Sequence, residues 1–251
     1  MTWPLRVMIG PISFYSSGLL LFLGLFWGGF IFWRKGREEG IEEEKLMDIW
    51  LGAAIISFIV SRAWLVLSRW EEFNHWYRIL FFTKFPGLAY EGALLGFWLG
   101  VLALGFRSKM KLWCLVELAI FGQVIMEIFG RLGQPITWQT SGVLVLAILY
   151  QLLVKWEKEY RNFDWYKGGQ SEAEPGFLTA VYLIGLGGVN FGLSWLNRPS
   201  WFWLVLVVVG VLILMFRSGK LFRAGKKPAE SNLKTMPRFK LKRKKRGFDF
   251  K

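Results

Sequence analysis

The sequence predicts an all-α integral membrane protein with about seven transmembrane helices, an external N-terminus and a cytoplasmic C-terminus. Three observations lead to this prediction. Of the 251 residues, 54% are hydrophobic and 18% aromatic, which is too apolar for the surface of one soluble domain. Seven apolar runs reach or approach the roughly 20 residues that a helix needs to cross a hydrocarbon core. The basic residues are concentrated in alternate loops between these runs.

The runs follow one another along most of the chain. The fifth run is the least apolar and the last is short, so their boundaries are the least sharply defined. Tryptophans stand near several run ends, where their amphipathic rings favour the membrane interface. In chain order the predicted spans are 12–33, 46–67, 87–106, 112–130, 138–155, 176–196 and 201–216.

Glycines recur every four residues in the first, third and sixth runs. Small residues at this spacing line one face of a helix and let two backbones approach closely, so for most of these positions we predict tight helix packing. The glycines are Gly24 and Gly28, then Gly92, Gly96 and Gly100, then Gly188 and Gly192.

The distribution of Lys and Arg predicts the orientation. With seven spans, 25 of the 32 basic residues fall on one side, in loops 34–45, 107–111 and 155–175 and in the tail that starts at Arg217. Basic loops stay cytoplasmic, so the C-terminus is expected inside and the N-terminus outside. Arg131 then lies at the outer face of the membrane.

The composition divides the chain into a membrane domain, 1–217, and a basic cytoplasmic tail, 218–251. The segment from Arg217 carries a net charge of +12 out of the chain's +14. Next to a final span, it is expected to lie on anionic inner-leaflet lipid, each basic residue contributing on the order of 1 kcal/mol. RNA binding is the alternative, but the tail has no aromatic-lined fold to read bases, so no nucleic-acid partner is expected.

The chain has a single histidine, His75, and a single cysteine, Cys114. One thiol cannot form an intramolecular disulfide, and one imidazole leaves no histidine pair for zinc. We therefore expect no metal site and no cofactor.

The segment Phe129–Pro135 places Arg131 between Gly130 and Gly133 at the end of an apolar run. An ionisable residue at this depth indicates a functional site unless it only reaches toward lipid headgroups, which is the alternative. The two glycines would let a bulky ligand approach the backbone.

Besides Arg131, the unusual charged residues of the runs are Arg62 late in the second, Glu91 at the outer start of the third, and Glu117 and Glu127 in the fourth. Glu127 is four residues before Arg131 on one helix face, so the two can pair directly, which would be a structural role for both. Alternatively, Arg62, Glu91 and Arg131 all lie at outward-facing helix ends and would converge on one pocket for an anionic headgroup.

At these residues the chain resembles the bacterial prolipoprotein diacylglyceryl transferases, over about 11–136 and more faintly over 176–217. Ile12-Ser13-Phe14-Tyr15 is similar to the family's Ile-Arg-Trp-Tyr, and Ser61-Arg62 falls at its Gly-Ala-Arg. The segment 87–96 is similar to Gly-Gly-Met-Ser-Phe-His-Gly-Gly-Leu-Ile-Gly with one residue less at its start, so that Tyr90 stands at the family's Phe and Glu91 at its His. Glu117 stands at a family Asp, and Gly130-Arg131-Leu132-Gly133 matches the start of the signature Gly-Arg-Ile-Gly-Asn-Phe.

The chain also departs from the family pattern. Glu91 replaces the family's histidine and Gln134 replaces the asparagine of the signature. Pro135 follows at once, so the Asn-Gly-Glu continuation is missing, and an extramembrane arm is absent. Asn190 replaces an arginine near the sixth run, and Ser194 replaces a nearby Glu, so a second family arginine has no counterpart unless Arg198 serves.

The resemblance implies a fold of seven spans in the bacterial cytoplasmic membrane. It implies transfer of a diacylglyceryl group from phosphatidylglycerol to the lipobox cysteine thiol in a prolipoprotein signal peptide, with release of glycerol phosphate. Arg131 and Glu91 would be catalytic, Glu91 as base. The alternative is a catalytically degenerate lipid-binding or scaffold protein of the same fold. The residues expected to bind phosphatidylglycerol are Arg131, Arg62, Gly130, Gly133 and Gln134.

Overall fold

The computed structural model describes residues 6–9, 12–71, 73, 87–133, 142–167, 173–195 and 200–218. The described part begins with a short antiparallel hairpin of β1 (Arg6–Ile9) and β2 (Ile12–Tyr15), in which Arg6 lies opposite Tyr15. The first predicted span therefore begins too early, because residues 12–15 pair with β1 and the helix begins at Ser16.

A helix occupies each of the seven predicted runs. α1, α2, α4 and α7 are long and apolar enough to cross a membrane, and α8 is a shorter apolar helix. The described chain is thus a helical protein of membrane type, while the count of seven crossings and the orientation stay predictions. The helices are α1 (Ser16–Glu38), α2 (Glu43–Ser68), α3 (Tyr90–Arg107), α4 (Leu112–Leu132), α5 (Gly142–Glu159), α6 (Asp164–Lys167), α7 (Phe177–Trp195) and α8 (Trp201–Arg217), with a 3-10 turn at Tyr160–Asn162.

Helix α4 lies at the centre of the bundle. It packs against α1, α3, α5 and α7. Of its most apolar 18-residue window 61% is buried, against 22–44% in the three other helices that are long and apolar enough to span. Leu115, Ile120, Phe121 and Val124 are almost fully buried. Polar residues on α4 are therefore surrounded by protein rather than by lipid, so burial on this helix is compatible with a site.

The glycines of α3 pack directly on α2. A Cβ atom added at Gly96 would lie 2.8 Å from the Cα of Ser57. The Ser57 hydroxyl donates to the carbonyl of Ala93, and the Ser61 hydroxyl to that of Ala89, each at 2.7 Å. The predicted close packing is confirmed here.

The first and sixth runs behave differently from each other. A Cβ at Gly28 would lie 2.5 Å from the carbonyl oxygen of Gly122 on α4, so this glycine also permits close helix contact. A Cβ at Gly188 or Gly192 would meet no described atom within 4 Å. The prediction of close packing, made for most of these glycines, is thus confirmed in α1 and α3 and does not extend to these two positions in α7.

Glu117 ties α4 to the start of α7. Its Oε1 accepts hydrogen bonds from the backbone amides of Gly176 and Leu178, at 2.6 and 3.2 Å, and its Oε2 accepts one from the Tyr160 hydroxyl at 2.9 Å. Burial, and then the neighbouring Glu117 carboxylate, raises the pKa of Tyr160, so this phenol remains a donor. The carboxylate is saturated with bonds that hold helices together, which indicates a structural role.

One ion pair joins two of the loops that were predicted to share a side. Lys35 at the end of α1 donates to Oε1 of Glu157 near the end of α5, at 2.7 Å, and its ammonium lies over the ring of Phe121. The ends of α1 and α5 therefore lie together, opposite the end of α4 that carries Arg131.

Candidate functional site

Three polar side chains on α4 are spaced by four residues: Gln123, Glu127 and Arg131. This spacing puts them on one face of the helix, at successive turns. Gln123 and Glu127 are 2% and 4% exposed, so the face is directed into the bundle. Because buried charges are costly without partners, what surrounds each side chain decides its role.

Arg131 is held by two other helices. Its Nη2 donates to Oδ1 of Asn190 on α7 at 2.6 Å, and the Asn190 amide nitrogen donates to the carbonyl of Leu186 at 2.9 Å, which orients the acceptor. A Cβ on Gly142, the first residue of α5, would lie 2.6 Å from Nη1 of Arg131. The guanidinium thus lies against the backbone at the start of α5.

The predicted direct pair of Glu127 and Arg131 differs from what the structure shows. The two groups interact electrostatically, but among the described residues no ion pair joins them, and the short hydrogen bond of Arg131 goes to Asn190 instead. The packing of α7 against α4 explains this difference, because it brings the amide oxygen of Asn190 to the guanidinium. The sequence of α4 alone does not reveal this contact.

Glu127 is enclosed by polar side chains from three helices. Its carboxylate is close enough to interact with Tyr90 of α3, Tyr182 of α7, and Gln123 and Arg131 of α4 itself. None of these contacts reaches full hydrogen-bond geometry, since both carboxylate oxygens are buried without a hydrogen-bond partner in the described part of the chain.

Several neighbours of Glu127 are unsatisfied as well. Within the described residues, Oε1 of Gln123, the hydroxyl of Tyr182 and Nε1 of Trp98 are buried and have no hydrogen-bond partner. The rings of Trp98 and Tyr182 are 5.8 Å apart. Nearly all buried polar groups in proteins are hydrogen-bonded, so several unsatisfied ones together indicate a place where water or a ligand supplies the missing partners. We call Tyr90, Trp98, Gln123, Glu127 and Tyr182 the Glu127 cluster.

The cluster reaches the outside of the bundle at Tyr90. This residue begins α3, is 37% exposed, and its ring lies 5.5 Å from that of Trp203 on α8. Its hydroxyl interacts with both Glu127 and Arg131. Tyr90 therefore connects the buried carboxylate with the guanidinium and with the outer surface.

Two of the predicted site residues lie at the same end of the bundle but have separate surroundings. Arg62 is buried near the end of α2, donates from Nη1 to the carbonyl of Gly87 at 3.1 Å, and lies over the ring of Phe73. Glu91 is half-buried in the first turn of α3 and makes no hydrogen bond or ion pair within the described residues. Within the described residues, no contact joins either of them directly to Arg131.

The glycines beside Arg131 differ from each other. A Cβ on Gly130 would meet nothing within 4 Å in the described chain. Gly133 follows the last residue of α4 with ordinary right-handed backbone angles, so its conformation does not require glycine. Gln134, like His75 and the tail beyond Ser218, lies outside the described residues.

Two surface clefts lie at the opposite end of the bundle. One, of about 410 Å³, is lined by α5 from Tyr150 to Glu159. The other, of about 460 Å³, lies between the loop after α1 and the loop before α4 and includes Cys114. Both are wide open, and neither contains an unsatisfied buried polar group, so the Glu127 cluster with Arg131 is the better candidate site.

Sequence reasoning missed most of this cluster. The spacing of Gln123, Glu127 and Arg131 was available as a signal for one polar helix face. Trp98 and Tyr182 carried none, because each stands alone in an apolar run and becomes part of the site only when α3 and α7 pack against α4.

Comparison with protein families gives a match over most of the chain. The family model described as prolipoprotein diacylglyceryl transferase matches residues 4–218. This range includes all of the described helices.

Curated relatives match about half of the chain. The phosphatidylglycerol–prolipoprotein diacylglyceryl transferase of Shouchella clausii is 29% identical over 139 residues, which cover 55% of this chain and 50% of the relative. The corresponding protein of Halalkalibacterium halodurans is 26% identical over 136 residues, 54% and 47% of the two chains. In Clostridium perfringens, transferase 2 is 24% identical over 132 residues, 51% and 52%. The chain thus spans about half the length of the curated relatives it matches.

Proposed function

Because this chain belongs to the prolipoprotein diacylglyceryl transferase family, we propose that it transfers the diacylglyceryl group of phosphatidylglycerol to the lipobox cysteine thiol of a prolipoprotein. The observation that carries this proposal is Arg131, a guanidinium oriented by Asn190 one helical turn from a buried polar cluster.

Arg131 would bind the phosphate of the lipid. A guanidinium can donate to two phosphate oxygens at once, and the hydrogen bond from Nη2 to Asn190 fixes the orientation of this one. The start of α5 at Gly142, against which the guanidinium lies, adds the positive end of a helix dipole. Both features favour an anion at this position.

Arg62 and Gly130 would support the same ligand. Arg62 donates to the carbonyl of Gly87 and so holds the segment that precedes α3 in place. This segment would form one wall of the entrance to the lipid site. The open space at Gly130 would admit the lipid close to the helix backbone. We also propose that Gly133 and Gln134 border this lipid.

The reaction itself is a displacement at an sp³ carbon. The sulfur forms a bond to the glyceryl carbon as the bond from that carbon to the phosphate oxygen breaks, and the electron pair leaves with glycerol phosphate. The thiol attacks as thiolate, and its reference pKa is about 8.5, so a proton acceptor helps. The carboxylates of α3 and α4 at this end are Glu91, which stands at the family's histidine, and Glu127.

We further propose seven membrane crossings within 1–217, with the N-terminus outside the bacterial cytoplasmic membrane and the basic segment 218–251 inside. The distribution of basic residues supports this orientation. Arg131 would then face the outer leaflet, and the tail would contact anionic inner-leaflet lipid on the opposite face.

A second function is favoured by one observation. Where the family carries an arginine, Asn190 stands and uses its amide oxygen to hold Arg131. A site with fewer cations would bind a phosphate headgroup without stabilising a departing phosphate as strongly. This would be the catalytically degenerate lipid-binding protein of the same fold.

Transfer of radiolabelled diacylglyceryl from phosphatidylglycerol to a lipobox peptide, by the purified protein, separates the two functions. We expect label on the peptide, and loss of it with Arg131→Ala. Gly130→Leu should block transfer without lowering thermal stability. The control Gly188→Leu, at an equally open site in α7, should leave transfer intact. Binding of phosphatidylglycerol with no transfer under any condition would favour the degenerate function.

A further inference from the structure

We propose that Glu127, rather than Glu91, accepts the proton of the incoming thiol, with Tyr90 placed between this carboxylate and Arg131. This inference rests on the proposed transferase function and names a residue in the same site. The observation behind it is the pair of buried Glu127 oxygens that lack a hydrogen-bond partner in the described chain.

The position of Glu127 relative to Arg131 fits the reaction. If Arg131 holds the phosphate, the carbon that is attacked lies on the acyl-chain side of it, deeper in the membrane, and in-line attack comes from deeper still. Glu127 is four residues further into the membrane along α4, about 6 Å at 1.5 Å per residue. A base for the thiol is needed at about this depth.

The surroundings of Glu127 suit a carboxylate that takes up a proton during the reaction and releases it afterwards. A structural buried carboxylate is normally saturated with donors, as Glu117 is by Gly176, Leu178 and Tyr160. Glu127 has polar neighbours but no completed hydrogen bond among the described residues. Its oxygens remain available to a proton from outside.

Each helix around Glu127 contributes a defined group. Tyr90 faces it from α3 and Tyr182 from α7, while Gln123 and Arg131 flank it on α4. Tyr90 replaces the phenylalanine of the family pattern, so its hydroxyl is an addition at the point where the cluster opens. Glu91, in contrast, has no recorded polar contact within the described residues, and no contact places it beside Arg131.

The proposed step is balanced in protons and electrons. The S–H bond breaks, its proton passes to the Glu127 carboxylate directly or through the Tyr90 hydroxyl, and the sulfur electron pair forms the new S–C bond. The C–O bond to phosphate breaks with its electron pair on oxygen. Glu127 later returns the proton to the released phosphate or to water, which restores the carboxylate.

Glu127→Gln tests this inference on the full-length protein, with transfer measured from pH 6 to pH 10. General acid–base catalysis contributes about 10²–10⁴-fold, so we expect a loss of at least about 100-fold near neutral pH. Above the thiol's own pKa, near 8.5, the loss should shrink, because the peptide thiol ionises without help. A structural role would not produce this recovery.

Stability and binding are measured on the same variant. Because Glu127 makes no completed hydrogen bond within the described residues, Glu127→Gln should keep the thermal midpoint and should not lower the affinity for phosphatidylglycerol vesicles. Glu38→Gln, at an exposed carboxylate of the opposite end, is the matched control and should leave the pH profile unchanged.

Three outcomes would overturn the inference. The first is full activity of Glu127→Gln at neutral pH, and the second is a loss that stays constant up to pH 10. The third is the pH-dependent recovery appearing in Glu91→Gln instead. Absence of transfer by the wild-type protein at every pH would contradict the proposed function, which is a distinguishable result.

Discussion

Replacing Arg131 by lysine keeps the charge but removes the planar group on which the lipid-site proposal depends. The guanidinium donates to Asn190 at 2.6 Å, and in the proposed site it also binds the phosphate. An ammonium donates from one point and cannot reproduce both sets of contacts. A hydrogen bond to a charged group contributes about 1.5–3 kcal/mol, so loss of this one bond corresponds to about 10- to 150-fold in affinity or rate.

Loss of the second phosphate contact adds a factor of similar size, so we expect Arg131→Lys to reduce lipid transfer by at least about 100-fold, nearly as much as Arg131→Ala. The assay is radiolabelled transfer to a lipobox peptide at saturating phosphatidylglycerol. Retention of more than half of the wild-type rate by Arg131→Lys would refute the bidentate role.

The double change Glu127→Gln with Arg131→Gln separates the lipid site from a structural ion pair. If the two residues only neutralised each other, the double variant would recover what each single variant loses. We expect no recovery, because no ion pair joins them in the described structure and the short hydrogen bond of Arg131 goes to Asn190.

Four further predictions concern the stability of the helix bundle, the role of the basic tail and the orientation of the chain in the membrane. Glu117→Ala leaves three buried donors without an acceptor, at about 1 kcal/mol or more each, and should lower the thermal midpoint in detergent by roughly 6–12 °C; an unchanged midpoint would show that the bonds contribute nothing. Gly96→Ala should destabilise the contact of α2 with α3 because its Cβ would lie 2.8 Å from a backbone atom, whereas Gly188→Ala, with open space around it, should not. Deletion of 225–251 should weaken binding to anionic vesicles but leave transfer measurable, and complete loss of transfer in a stably inserted truncation would place the tail in the site. Single cysteines introduced into the tail, with Cys114 replaced by serine, should react only with reagents applied from the cytoplasmic side, and labelling from outside would overturn the orientation.

The helices could be predicted from the sequence, because an apolar run of 17 to 26 residues has few ways to satisfy its backbone in lipid other than by becoming a helix. The first boundary was wrong, since residues 12–15 found backbone partners in β1. Local hydropathy cannot show such a pairing.

The site was only partly predictable. Arg131 and its flanking glycines stood out because a charge at that depth is unusual. Its partner did not, because Asn190 is 59 residues away and the shape of the bundle, not helical spacing, brings it to the guanidinium. For the same reason, the sequence predicted that Glu127 pairs with Arg131 and did not reveal the cluster that includes Tyr90 and Tyr182.

The departures from the family pattern are coherent if Glu127 is the proton acceptor. Asn190 is neutral where the family pattern has an arginine, and Glu127 lies near Arg131, so an ionised Glu127 offsets the positive charge of this guanidinium. When Glu127 takes the thiol proton, its own charge disappears, and Arg131 is left to offset the second negative charge that develops on the departing phosphate. Proton transfer and leaving-group stabilisation would then occur together, which favours the transition state over the bound lipid.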